Sequence, residues 1–284
     1  MTINIIDGKN TAKKIRENLK KEISLLKKQP KLVVILIGNN SASEIYVKNK
    51  EKYANEVGII SEVIKLPNTT TENKVLSIIK KLNKNKKVNG ILVQLPLPKQ
   101  INEFNVINAI SPDKDVDGFT IYNKGLLSLD KPNLVPCTPL GIIELLKQYK
   151  VKIEGKKAVV IGRSNIVGKP MAQLLLKENA TVTICHSKTK NLKDITNTAD
   201  ILISAVGKPN LITKNHIKEN AIVIDVAMNR DTKNNRWIGD VKFDEVSKKA
   251  KLITPVPGGV GPMTIAMLLQ NTLKAYKNQK NKWK

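Results

Sequence analysis

Twice along this chain, short β-branched runs alternate with helical stretches, and that alternation restricts the fold more than any other feature. In the first half the runs are Leu32 to Ile37, Ile60 to Ile64 and Gly90 to Gln94, separated by helical patterns over Ser43 to Val57 and Glu72 to Leu82. The second half repeats the scheme: Lys157 to Ile161, a glycine turn, a helix over Pro170 to Lys177, then runs at Thr181 to Cys185, Ile201 to Ala205 and Ala221 to Val226. Strands separated by helices pair in parallel, with helices covering both faces of the sheet. The sequence therefore predicts an α/β protein of two α/β domains, the second of dinucleotide-binding type. A length of 284 residues lets each domain bury a core of its own.

A Pro- and Asp-rich stretch separates the two rounds, from Leu95-Pro96-Leu97-Pro98 through Ser111-Pro112-Asp113 to Pro136-Cys137-Thr138-Pro139. The domain boundary is placed there. Farther on, Pro255-Val256-Pro257-Gly258-Gly259-Val260-Gly261-Pro262 reads as an irregular loop, since prolines remove donors and glycines admit positive φ. The apolar stretch Met263 to Tyr276 reads as a closing helix, and the basic tail Lys277 to Lys284 is expected to fray.

Composition excludes several classes. No run of residues is long and apolar enough to span a bilayer, and the start Met1-Thr2-Ile3-Asn4 has no signal-peptide pattern, so a soluble, unprocessed cytoplasmic protein with no membrane partner is expected. Cys137, Cys185, His186 and His216 form no metal-ligand spacing, and no metal is expected. The formal charge of +25 would ordinarily suggest a polyanion partner. Only four of the 49 basic residues are Arg, however, and the lysines are scattered among 30 asparagines with few aromatics to stack on bases. This looks like compositional drift, and no specific nucleic-acid partner is expected.

After the strand Ala158-Val159-Val160-Ile161 comes Gly162-Arg163-Ser164-Asn165-Ile166-Val167-Gly168-Lys169-Pro170 and then a helix. Strand, glycine turn and helix together aim backbone N–H groups at a phosphate. The match to the dinucleotide fingerprint is imperfect, because Ser164 replaces the second glycine and Gly168 lies one residue late. A nucleotide-triphosphate loop is excluded by the spacing and by Pro170. The next strand ends Cys185-His186-Ser187-Lys188, where an NAD-specific domain would carry an acid for the ribose 2′-hydroxyl. With no acid there, and with Arg163, Ser187 and Lys188 available, NADP is the expected cofactor.

On a helix Ser43, Tyr46, Lys50, Ala54 and Val57 share one face, with Lys48 and Lys52 pointing the other way. A lysine facing inward beside a tyrosine is costly unless it is used, and desolvation suits an ammonium to proton transfer near neutrality. The alternative is a lysine whose stem is buried and whose head snorkels to water. Gln94 ends an apolar strand at the edge where parallel sheets place functional groups, and it needs a partner. Asp113-Lys114-Asp115-Val116-Asp117-Gly118 begins like a calcium loop, but the twelfth position would be Lys124, so that reading is rejected. A surface turn is the ordinary reading of Asp113 and Asp115.

Together, Ser43 to Lys50, Val93-Gln94-Leu95-Pro96-Leu97-Pro98, Asp115-Val116-Asp117-Gly118-Phe119, Pro136-Cys137-Thr138-Pro139, Gly162 to Pro170 and Pro255 to Thr264 resemble the motif series of the bifunctional methylenetetrahydrofolate dehydrogenase and methenyltetrahydrofolate cyclohydrolase family, in the family's order. The resemblance implies a folate-binding catalytic domain over 1–138 joined by a C-terminal helix over 263–284, a Rossmann NADP domain over 139–262, a substrate cleft between them, and a homodimer. It implies oxidation of 5,10-methylenetetrahydrofolate with NADP, then hydrolysis of the methenyl product to 10-formyltetrahydrofolate. It makes Lys50 catalytic, with Tyr46, Gln94 and Asp117 beside it. Ser43, Tyr46, Asp117, Pro257, Gly258 and Gly259 would bind substrate, and Gly162, Arg163, Ser164, Ser187 and Met228 the cofactor. Met228 departs from the family pattern, where Val226-Ala227-Met228-Asn229 more often carries Gly and Ile. The competing readings are an NADP dehydrogenase of another small substrate, or a copy that keeps one activity only.

Overall fold

The computed structural model describes residues 5–231 and 235–281. In chain order the elements are α1 (Gly8–Ser24), β1 (Lys31–Ile37), α2 (Ser41–Val57), β2 (Ile60–Leu66), α3 (Glu72–Lys84), β3 (Gly90–Val93), α4 (Glu103–Asn108), α5 (Ile121–Ser128), α6 (Cys137–Gln148), β4 (Lys157–Ile161), α7 (Gly168–Lys177), β5 (Thr181–Cys185), α8 (Leu192–Thr196), β6 (Ile201–Ser204), β7 (Ile222–Asp225), β8 (Asn229–Asp231), β9 (Arg236–Ile238), α9 (Phe243–Val246), β10 (Leu252–Ile253) and α10 (Val260–Asn281). They fall into two compact units. Lys14–Cys137 and the residues from Ile265 onward form one, around a parallel sheet ordered β2-β1-β3. Thr138–Thr264 and the residues up to Lys13 form the other, around a parallel sheet ordered β10-β7-β6-β4-β5.

The strand composition explains the sheet order. The run from Leu32 to Ile37 is buried throughout, as a central parallel strand must be, and β1 takes the middle of its sheet. Its Val33, Ile35 and Ile37 pack with Val75 and Ile79 of α3. In the five-stranded unit, Val159 and Ile161 of β4 join Leu202 and Val223 in one core, while the mostly exposed β5 takes an edge. The α/β class read from the sequence is what forms, in both halves.

Several details differ from the sequence reading. Residues up to Lys13 group with the five-stranded unit, because the Ile6 amide donates to Ile253 O at 2.8 Å and the Lys9 amide to Gly258 O at 2.9 Å. Pro136 to Pro139 is not wholly a linker, and Val260 to Pro262 is not loop: α6 and α10 begin there. Pro139, Pro170 and Pro262 each stand third in a helix, in the first turn, where a proline lacks an N–H that would have had no helical partner. The expected fraying of Lys277 to Lys284 does not begin at once, since α10 runs to Asn281, and residues 282–284 lie outside the described residues. Among the described residues no helix is long and apolar enough to cross a membrane, and no group of three or more His, Cys, Asp or Glu could hold a metal ion.

Candidate functional site

In the three-stranded unit the chemistry gathers where α2, the end of β3 and the acidic turn meet. The side chain of Asn40 caps α2 by accepting from the Ser43 amide at 3.0 Å, and Gly58 ends the helix with φ +87°. The caps fix where the helix starts and stops, and its 3.6-residue period decides which face turns inward. Ser43, Lys50, Ala54 and Val57 are buried, Tyr46 is half-buried, and Lys48 and Lys52 are exposed. Lys50 is only 8% exposed, and its Nζ donates to Gln94 Oε1 at 2.9 Å. Gln94 is oriented from both sides: its own amide bonds Ile35 O at 2.9 Å, and its Nε2 donates to Leu95 O at 2.8 Å. With the nitrogen so committed, the oxygen faces the ammonium. Burial also raises the Tyr46 phenol above its ordinary pKa.

The acidic turn is held against β3, whose Ile91 amide donates to Lys114 O at 2.8 Å. Asp115 is buried, and its carboxylate accepts from Phe119 N at 3.1 Å, Thr120 N at 2.8 Å and Asn123 Nδ2 at 2.9 Å. It is a structural anchor inside the fold, which corrects the expectation of a surface turn. Lys114, also buried, donates to the carbonyls of Leu82, Asn83 and Asn85 at 2.8–2.9 Å and closes the last turn of α3. Asp117 differs from both. It keeps part of its surface open, yet desolvation pushes its pKa up to about 6; nearby Lys50 opposes that rise and Asp115 adds to it. At neutral pH it is a carboxylate held close to its protonation point. Gly118, at φ +69°, turns the chain here because a Cβ would lie 2.6 Å from Pro136 N.

Two residues near Asp117 were not legible from the sequence. Cys137 is buried, and its Sγ lies 3.3 Å from Val116 O and 3.8 Å from Asp117 Oδ1. Asn271, on α10, donates through Nδ2 to Val116 O and Val135 O, both at 2.8 Å. A polar side chain inside the apolar stretch of the closing helix was the signal available for Asn271.

In the five-stranded unit the glycine turn forms as its spacing predicts. Gly162 has φ +119°, and a Cβ there would lie 2.5 Å from Ala205 O; one on Gly168 would lie 2.2 Å from Gly162 O. Only glycine allows this tight passage from β4 into α7. Ser164 Oγ accepts from the amides of Val167 and Gly168 at 3.2 and 3.3 Å, closing the turn while its own O–H remains a donor. Beside it, β5 ends in a turn in which the His186 amide bonds Thr189 Oγ1 at 2.8 Å. Arg163, Ser187 and Lys188 are exposed on these neighbouring turns, with no Asp or Glu in either. The donor set fits a phosphorylated ribose. Met228 is exposed just beyond β7. Pro257, Gly258 and Gly259 belong to this same unit, apart from Ser43, Tyr46 and Asp117, and a Cβ on Gly8 would lie 1.8 Å from Gly259 O.

A family model described as the tetrahydrofolate dehydrogenase/cyclohydrolase catalytic domain matches residues 6–117, and one described as the NAD(P)-binding domain of the same enzymes matches residues 136–280. The chain is 58% identical over 276 residues to a bifunctional protein FolD of Listeria innocua, covering 96% of this chain and 97% of that one. Among solved structures, it is similar to the bifunctional FolD methylenetetrahydrofolate dehydrogenase/cyclohydrolase of Campylobacter jejuni, with a TM-score of 0.96 and 50% identity over 98% of this chain and 99% of that chain. It is also similar to the FolD enzyme of Trypanosoma brucei solved with NADP cofactor and inhibitor, with a TM-score of 0.94 and 39% identity over 98% and 99% of the two chains.

Proposed function

Because the chain belongs to the tetrahydrofolate dehydrogenase/cyclohydrolase family, we propose that it oxidises 5,10-methylenetetrahydrofolate to the 5,10-methenyl form with NADP and then hydrolyses that product to 10-formyltetrahydrofolate. On this reading the three-stranded unit is the folate-binding catalytic domain and the five-stranded unit the NADP-binding domain. The observation that carries the chemistry is Lys50, a buried ammonium on the inward face of α2, held at 2.9 Å by a glutamine that is itself fixed.

Bound NADP supplies a two-electron acceptor for the hydride that leaves the methylene bridge. Arg163, Ser187 and Lys188 would hold its ribose phosphate by charge-assisted and neutral hydrogen bonds, and the Gly162–Gly168 turn its pyrophosphate. The remaining work belongs to the folate unit. The methenyl substrate is already a cation, so it needs water, a proton acceptor and a proton donor rather than a stronger electrophile. Gln94 takes one of the three N–H donors of Lys50 and leaves the others for the reaction. Lys50 carries one proton of the attacking water to the ring nitrogen that departs as the C–N bond breaks, and the water's other proton leaves to solvent. Asp117 accepts hydrogen bonds from the pterin ring, and Tyr46 stacks near the substrate, with Ser43 alongside. The family resemblance assigns Pro257, Gly258 and Gly259 to substrate binding as well. The protein acts as a homodimer in the cytoplasm, with folate derivatives as its partners and neither specific nucleic acid nor membrane; the family resemblance supports the dimer, and the scattered lysines argue against a nucleic-acid face.

A coupled assay tests the reading. Methylenetetrahydrofolate is mixed with NADP or NAD, and NADPH and the methenyl chromophore are followed separately. Faster turnover with NADP, and decay of added methenyltetrahydrofolate without cofactor, are expected. Turnover of neither folate by folded protein would overturn it.

A further inference from the structure

We propose that Asp240 is a positioning residue of the cofactor site, a buried carboxylate that sets the path of the Ser204–Lys208 segment against the glycine turn. The inference rests on the NADP reading above. Asp240 is fully buried. Its Oδ2 accepts from Ser204 Oγ at 3.0 Å, Val206 N at 2.9 Å and Gly207 N at 3.3 Å; its Oδ1 accepts from Lys208 N at 2.7 Å and Asn229 Nδ2 at 3.3 Å. Three consecutive amides converging on one anion, with Gly207 at φ +69°, make a backbone nest. Such a concavity can hold a bound anion, and here an internal carboxylate fills it.

The placement of the donors separates this from ordinary core satisfaction. Four of the five lie at the carboxyl end of β6, the edge where open parallel sheets bind ligands. The segment they fix carries Ala205, whose carbonyl is the atom that forbids a side chain on Gly162. The fifth donor, Asn229, follows Met228. A single carboxylate thus ties the end of β6 to two places where cofactor contacts are expected, the glycine turn and Met228. Asp240 is held in turn by Asp225, whose carboxylate accepts from the amides of Asp240 at 3.0 Å and Val241 at 2.8 Å. A Cβ on Gly239 would lie 1.8 Å from Asp225 Oδ2, so only glycine brings the two acids this close.

Asp240→Asn tests the idea with little change of volume. Whichever way the amide turns, its NH2 faces a backbone N–H: those of Val206 and Gly207 on one side, that of Lys208 on the other. Losing a charge-assisted acceptor in this way should raise the NADP Kd, measured by calorimetry, about tenfold or more, and the dehydrogenase KM for NADP with it. Cyclohydrolase activity, measured without NADP, should be unchanged, which a general loss of structure could not produce. An unaltered Kd, or a parallel fall of both activities in folded protein, would overturn the proposal. Should Asp240→Asn fail to fold, Gly207→Ala decides, because it strains the same nest with the carboxylate left in place. There a raised Kd with hydrolysis retained supports the proposal, and an unchanged Kd overturns it. If the parent protein itself binds no NADP, the cofactor reading falls first, and this one with it.

Discussion

Asp117→Asn separates what the acidic turn does for the substrate from what it does for the fold. The substitution keeps the shape of the side chain and removes its charge. In the folded protein desolvation raises the Asp117 pKa from 3.8 to about 6. Between those two values the unfolded chain gives up this proton and the folded chain keeps it, so stability falls as the pH rises from about 4 to about 6, and the cost is complete above that. A shift of roughly two units corresponds to at most about 3 kcal/mol, and solvent access to the half-buried carboxyl reduces it to the order of 1–2 kcal/mol. Asp117→Asn should therefore unfold at a higher temperature than the parent at pH 7.5, and at nearly the same temperature at pH 4. Substrate binding should move the other way. Loss of a charged acceptor for the pterin N–H groups should raise the KM for methylenetetrahydrofolate by about tenfold or more, with NADP affinity unchanged. In the parent protein folate binding should weaken below about pH 6, where Asp117 takes up its proton, and this inflection should vanish in the variant. Thermal unfolding at the two pH values and initial rates across the range read both effects. A variant with the parent's KM, or one destabilised more at pH 7.5 than at pH 4, would refute the reasoning.

Other substitutions separate positioning from structure. Asp115→Ala strands the Phe119 and Thr120 amides and the Asn123 side chain, so it should lower stability by about 2–4 kcal/mol in a denaturant titration; a silent variant would contradict its role as an anchor. Arg163→Ala should weaken NADP about tenfold more than NAD, because only NADP carries the 2′-phosphate, and equal losses measured by calorimetry would remove Arg163 from that contact.

The inward face of α2 could be read in advance because a 3.6-residue period leaves one arrangement for Ser43, Tyr46, Lys50, Ala54 and Val57. Gln94 was legible as the polar end of a fully apolar strand. What joins them is not local: the bond between Lys50 and Gln94 spans 44 positions and depends on β3 pairing with β1. The same limit hid Asn271, whose contacts with Val116 and Val135 span 155 and 136 positions, and Asp240, whose bonds to Ser204 and Val206 span 36 and 34 positions. Asp115 was misread for a related reason. A run of alternating acids looks solvated until the amides that need those oxygens are in view. Pro139 suggested a boundary because proline breaks a helix everywhere except in its first turn, whereas Pro262 was legible as the proline of a helix start.

The central claim is that Lys50 carries protons in the hydrolytic step, and one measurement tests it directly. Folded Lys50→Met, verified by circular dichroism, is mixed with methenyltetrahydrofolate, and the decay of the methenyl absorbance is compared with that of the parent and of Lys48→Met, whose side chain is exposed on the other side of the helix. Hydrolysis should slow by at least the roughly hundredfold typical of losing a general acid or base, more than hydride transfer does, so that the methenyl form accumulates during turnover while Lys48→Met behaves like the parent. Hydrolysis by Lys50→Met at the parent's rate would contradict the account.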